Sequence, residues 1–173
     1  MHEPVGGFED EQNFALTLVM KHASIPDFTE IKEISDAYKA ASELDIIVTS
    51  GADWSDEHSS LFRCMARSPS TLETLRGEGT MGDMLWRPLG ERAPITTATE
   101  VRALTLVELN DLPDFIQRGK NVLLMLGPCG RCDCHKGRIF RTILAQEQHL
   151  VTHVVVDSRT AGYLVNSINQ GLI

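Results

Sequence analysis

Between residues 127 and 137 the chain sets three thiols, an imidazole and an ammonium side by side: Cys129, Cys132, Cys134, His135 and Lys136, spaced by Gly127, Gly130 and Gly137. The Cys-x2-Cys-x-Cys-His spacing offers four soft ligands, the number a tetrahedral zinc ion takes. Structural zinc sites usually draw those ligands from two separated knuckles, and here all four fall within seven residues. Reduced thiols in a tight loop are the plainer reading, and redox sensing is a further one. No metal or cofactor is therefore assigned; zinc at Cys129, Cys132, Cys134 and His135 is the alternative. Lys136 stands just before a helical pattern, where a cation beside unpaired helix N–H groups favours phosphate or carboxylate. The plain alternative is an exposed surface lysine.

Asp83 is the second candidate. A carboxylate in a glycine turn accepts hydrogen bonds from sugar hydroxyls, unless it is a turn residue that binds its own backbone. Met84 and Leu85 would wall the same pocket, although methionine is also a common core filler. Ser50, Gly51, Ala52 and Asp53 read as the loop at the carboxyl end of a strand, where Gly51 lets a ligand approach the backbone closely. Trp54 next to them either stacks on a sugar or closes the core. Asp157 reads as a helix cap, and His58, His149 and His153 are assigned no role.

These residues need elements to hold them. Val122–Leu126 and Val151–Val156 are short apolar runs, read as buried strands. Between them Ile139, Phe140, Ile143 and Leu144 recur on one helical face, and Asp157 with Ser158 offers the cap of a final helix. Strand, helix, strand, helix at this spacing predicts a parallel unit covered by helices on both faces. Ligands of open α/β sheets sit at the carboxyl ends of strands, where Gly127 opens the cysteine loop.

Upstream, Phe14, Ala15, Leu18 and Val19 predict an amphipathic helix to about His22. After Pro26, Asp27 with Glu30 resembles a capping box, and Ile31, Ile34, Tyr38 and Ala41 follow helical spacing. Asp45–Thr49 is a predicted strand, and Ser55 a cap with Asp56 and Glu57 in the first turn of a helix that buries Leu61, Phe62 and Met65. A short helix starts at Pro69 and stops at Gly77 and Gly79. Residues 90–99 are a polar excursion, Val101–Leu104 a strand, and Thr105 with Glu108 a capping box whose helix Pro113 cuts short.

A chain of 173 residues with 42% hydrophobic and 23% charged content suits one soluble globular domain. Its net charge of −8 disfavours an intrinsic nucleic-acid grip. No apolar run reaches membrane-span length, no signal peptide is visible, and the cysteines suit the reducing cytoplasm.

The order of motifs resembles the C-terminal effector-binding domain of SorC/DeoR-type bacterial sugar-binding transcriptional regulators. Glu78–Leu85 is similar to that family's "GAVGDI" turn, and Ala103–Leu109 to its "IGISLEEL" step. Thr152–Ala161 is similar to its "NVLVTDEATA" end, and Leu44–Gly51 to its "ADIALVGIG" strand. Gly6, Gly7 and Asn13 match its "GG…N" segment. The resemblance implies an α/β fold with a mostly parallel sheet flanked by helices, similar to NagB, RpiA and CoA transferases (Rossmann-like). It also implies that residues 1–173 are one sugar-binding domain, without the helix-turn-helix and the upstream phosphate loop of the family.

The implied function is a sensor rather than an enzyme. It binds a phosphorylated sugar or a similar small molecule and couples it to a homodimer or tetramer, with DNA reached only through a helix-turn-helix that this sequence does not show. The implied ligand contacts are Asp83, Met84, Leu85, Lys136, Gly51, Ala52 and Gly127, with no catalytic residue. A sugar-phosphate isomerase or deaminase is the enzymatic alternative, and a metal- or redox-responsive module on the cysteine loop is the third.

Overall fold

A computed structural model describes residues 18–21, 31–55, 57–99 and 101–171. Its centre is a three-stranded parallel sheet, ordered β2 (Ile46–Thr49), β7 (Asn121–Leu126), β8 (His153–Val156). Ile47 pairs with Val122 and Leu124 with Val154, so β7 is the middle strand. Helix α5 (Gly137–Leu144) connects β7 to β8, as parallel neighbours require. Helix α6 (Ser158–Asn169) follows β8, and Asp157 caps it by accepting the N–H groups of Arg159 and Thr160.

Burial along β7 alternates. Val122, Leu124 and Leu126 join Ile47 and the α5 residues Ile139, Phe140 and Ile143 in the main core. Leu112 and Phe115 of helix α4 (Leu112–Gln117) complete it. The unbroken apolar runs predicted helices on both faces. Among the described residues helices line one face, and on the other Ile46, Val48, Met125 and Val155 are 57%, 59%, 47% and 52% exposed. A continuous apolar run alone does not distinguish a strand buried on two sides from one buried on a single side.

After Ser50 the chain leaves the parallel sheet and enters a second, antiparallel one: β3 (Gly51–Asp53), β4 (Gly82–Met84) and β5 (Arg87–Leu89). Helices α2 (Ser60–Met65) and α3 (Pro69–Gly77) lie between β3 and β4 in sequence and carry a second core of Leu61, Phe62, Met65 and Leu75, closed by Trp54 and Ala103. The β4–β5 hairpin turns through Leu85 and Trp86, both left-handed at φ 51° and 57°. Side chains other than glycine pay about 1–2 kcal/mol for that conformation. Packing offsets it: Leu85 lies against the main core and Trp86 against the second. Arg87 then grips Glu108 through two nitrogens, at 2.6 and 2.5 Å, and donates to the Ala103 carbonyl at 2.7 Å.

Several local expectations change. The helix expected to end near His22 is, over its described part, strand β1 (Leu18–Lys21), antiparallel to β6 (Val101–Leu104). Pairing with a partner distant in sequence overrides a short helical pattern. The other upstream residues, including Gly6, Gly7, Asn13, Pro26, Asp27 and Glu30, lie outside the described residues, and Asp56 does too. Helix α1 spans Lys32–Ser42 as its spacing predicts. Helix α2 is capped by Ser59, not Ser55: Ser59 accepts the Phe62 N–H at 3.1 Å. The capping box is Glu108 with Asp111, around a 3-10 turn at Leu109–Asp111, rather than Thr105 with Glu108. Pro113 opens α4 within its first two positions instead of ending a helix, because a proline's missing N–H costs nothing there.

Candidate functional site

Strand β3 follows the carboxyl end of β2 after Ser50, and β4 runs beside it, with Ala52 opposite Asp83 and Asp53 opposite Gly82. Close approach of these strands to α5 explains the glycines. A Cβ at Gly82 would stand 2.2 Å from the Ala52 carbonyl oxygen and 2.6 Å from Ile139 Cδ1. One at Gly51 would meet Ile143 and Ile139 side chains at 3.0 and 3.3 Å. Gly51 therefore brings the strand to the core helix.

Asp83 lies in strand β4, not in the glycine turn in which the sequence placed it, and is only 9% exposed. Its Oδ2 accepts the indole N–H of Trp54 at 2.8 Å and the hydroxyl of Ser59. Neither is Asp83's own backbone, the partner a turn aspartate would use. Burial pushes its carboxyl up to about 6, against the opposing pull of the Ser59 and Trp54 hydrogen bonds and the charge of Lys136. Trp54 closes the second core edge-on to Phe62, ring centres 5.3 Å apart, and spends its N–H on Asp83.

Lys136 is the residue preceding α5. Its ammonium donates to the Gly51 carbonyl at 3.0 Å, and its backbone N–H to Thr160 Oγ1 at 3.2 Å. The adjacent His135 Nδ1 accepts the Gly137 N–H at 3.1 Å, and its ring lies 5.0 Å from that of Tyr163. A cation, a buried carboxyl group and the Gly51 carbonyl that the cation engages thus meet at the carboxyl end of β2, beside that of β7. Arg138 adds a second cation near Asp53, 3.6 Å from its carboxylate.

The other expected contacts fall differently. Met84 is fully buried in the main core, and Leu85 packs on that core from the turn. Gly127 is exposed where β7 ends, with open space around its Cα. The cysteine loop folds on itself: Cys129 N–H donates to the Cys134 carbonyl at 2.9 Å and Asp133 N–H to the Cys129 carbonyl at 2.8 Å. Arg159 pairs with Asp133 through both nitrogens and braces the loop against α6.

Sequence reasoning missed Ser59. Its signal, a serine two residues before the apolar pair Leu61 and Phe62, was present but was overshadowed by Ser55 with its acidic first turn. A separate groove of about 270 Å³ lies beyond the hairpin, between Leu75, Trp86, Pro94, Ile95 and Ala103, away from Asp83 and Lys136.

No protein-family model matches the sequence, and no curated protein does. Solved structures share its fold. A domain of a Vibrio fischeri transcriptional repressor, described as sugar-binding, superposes with a TM-score of 0.61 at 17% identity, over 82% of this chain and 52% of the other. A transcriptional regulator from Streptococcus pneumoniae gives 0.58 and 15% over 82% and 50%. A Shigella flexneri protein described as a sor operon regulator gives 0.58 and 15% over 80% and 48%. This chain therefore spans about half the length of these solved chains. At such identities the shared property is the fold, and it is the one the motif resemblance implied. No helix among the described residues is long and apolar enough to cross a membrane.

Proposed function

We propose that this chain is the effector-binding domain of a transcriptional regulator and that it binds a phosphorylated sugar or a related small carbohydrate. The observation that carries the reading is the meeting of Asp83, Lys136 and Gly51 at the carboxyl ends of the parallel strands, where α/β sheets collect ligands. The shared fold of regulators, one described as sugar-binding, supports it. Asp83 Oδ1 takes a sugar hydroxyl while Oδ2 stays on Trp54 and Ser59. Lys136 releases the Gly51 carbonyl and turns to the anion, with Ala52 and Gly127 at the rim. Met84 and Leu85 support Asp83 from the core side.

Coupling to DNA follows by linkage: a ligand biases an assembly only by its differential affinity for two states. The exposed apolar face of Ile46, Val48, Met125 and Val155 is the surface we assign to pairing of two copies, since contiguous apolar patches mark interaction sites. Val48→Lys then lowers the self-association constant in sedimentation equilibrium; an unchanged constant removes this face from the assembly.

One observation favours an enzyme instead. A buried carboxyl held at about 6 is suited to moving protons at neutral pH. Thermal-shift screening of phosphosugars, with product assayed in the same wells, separates the two. At about 100 times Kd a ligand stabilises by roughly 2.7 kcal/mol. A shift without product supports the sensor, and product formation overturns it.

A further inference from the structure

The sequence argued against a metal because all four of its candidate ligands lay within one loop. The structure supplies a ligand from elsewhere. His58, in the segment before α2, brings its Nδ1 to 3.4 Å from Cys129 Sγ, across 71 positions of sequence. Cys132 joins them, and the three ligand atoms all lie within 4.8 Å of one another. Cys134 and His135 are engaged otherwise. The Cys134 thiol faces the Cys132 carbonyl at 3.6 Å, and His135 accepts the Gly137 N–H and lies against Tyr163.

We propose that His58, Cys129 and Cys132 form a site for a thiophilic divalent metal ion of the zinc class. A tetrahedral zinc with Zn–S of about 2.3 Å and Zn–N of about 2.0 Å sets its sulfur and nitrogen ligands roughly 3.5 Å apart. The Cys129–His58 separation already matches that edge. Two thiolates and an imidazole select zinc over the hard cations, which prefer oxygen. The Cys-x2-Cys turn is one knuckle, and the loop's internal hydrogen bonds from Cys129 and Asp133 preform it. His58 is the second, separated knuckle. Three protein ligands leave a fourth position for water or an anion. Because Ser59 follows His58 and donates to Asp83, a bound ion ties the cysteine loop to the segment that hydrogen-bonds the buried carboxyl group. The metal site itself stands on its own geometry and does not depend on the sugar reading.

The test uses the reduced full chain with Zn2+ and Co2+ alone. We expect one Co2+ per chain, with thiolate charge-transfer absorption and the visible bands of tetrahedral cobalt, both displaced by Zn2+. His58→Ala, Cys129→Ser and Cys132→Ser each abolish stoichiometric uptake; Cys134→Ser and His135→Ala retain it. Should a variant fail to fold, alkylation of the wild-type protein decides. Zinc protects Cys129 and Cys132 but not Cys134, and the buried Cys64, whose thiol burial pushes up, stays unreactive throughout. Failure of the reduced chain to take up cobalt, retention of full uptake by His58→Ala, or equal protection of Cys134 overturns the proposal.

Discussion

Ser59 donates its hydroxyl hydrogen to the Asp83 carboxylate while its oxygen accepts the Phe62 N–H, so one side chain both caps helix α2 and holds the buried carboxyl group of the candidate site. The relationship couples local helix stability to the electrostatics of Asp83.

Ser59→Ala should act on both. Loss of the cap costs about 1 kcal/mol. Loss of the hydroxyl removes the leading influence that holds the Asp83 pKa down, so that pKa rises further above about 6. Urea denaturation measures the first effect and a carbon-13 NMR titration of the carboxyl the second. An unmoved titration would show that the hydroxyl does not serve Asp83.

The same carboxyl sets a pH dependence. Its folded pKa of about 6 exceeds its ordinary 3.8, so the folded state binds this proton more tightly than the unfolded state. The associated stability is complete below about pH 4 and is lost as pH rises through about 6. The span corresponds to roughly 3 kcal/mol. Asp83→Asn keeps the shape and does not titrate. Between pH 4 and 6 the wild-type chain should therefore lose stability relative to the variant as pH rises. Parallel curves for the two proteins would assign the slope to other groups.

Asp83→Asn and Lys136→Met test the ligand site. Hydrogen bonds to a charged acceptor are worth about 1.5–3 kcal/mol. Lys136→Met keeps the aliphatic stem and removes the cation that now bonds Gly51. Each variant should weaken phosphosugar binding at least tenfold, roughly 1.4 kcal/mol, by titration calorimetry. If Lys136→Met leaves affinity unchanged and Asp83→Asn unfolds the domain, Asp83 is a structural residue of the β3–β4 sheet. The pocket is then elsewhere.

Gly82→Ala should destabilise the domain by about 1–3 kcal/mol, the usual cost of overpacking, because the new methyl group meets the Ala52 carbonyl and Ile139. Gly130→Ala, with open space at that position, should change the melting temperature little. Equal effects would mean that β3 and β4 do not approach α5 as closely as described.

Sequence by itself determined the parallel unit. The apolar runs at Val122–Leu126 and Val151–Val156, the helix between them and the Asp157 cap are local signals, strong because period, length and capping chemistry agree. It also marked Asp83, Lys136 and Gly51 as places to look. Tertiary structure decided the rest. Leu18–Lys21 is a strand because β6 lies beside it, and no helical pattern reveals a partner 80 or more positions away. The turn at Leu85 and Trp86 adopts left-handed backbone without glycine because two cores hold its side chains, which turn chemistry alone would not predict. Ser59 reaches Asp83 across 24 positions, and His58 reaches Cys129 across 71. Such encounters depend on how β3, β4 and the 127–137 loop converge at the carboxyl ends of β2 and β7. Residue spacing along a chain carries distances only within one helix, strand or turn, so it held these residues' chemistry but not their company.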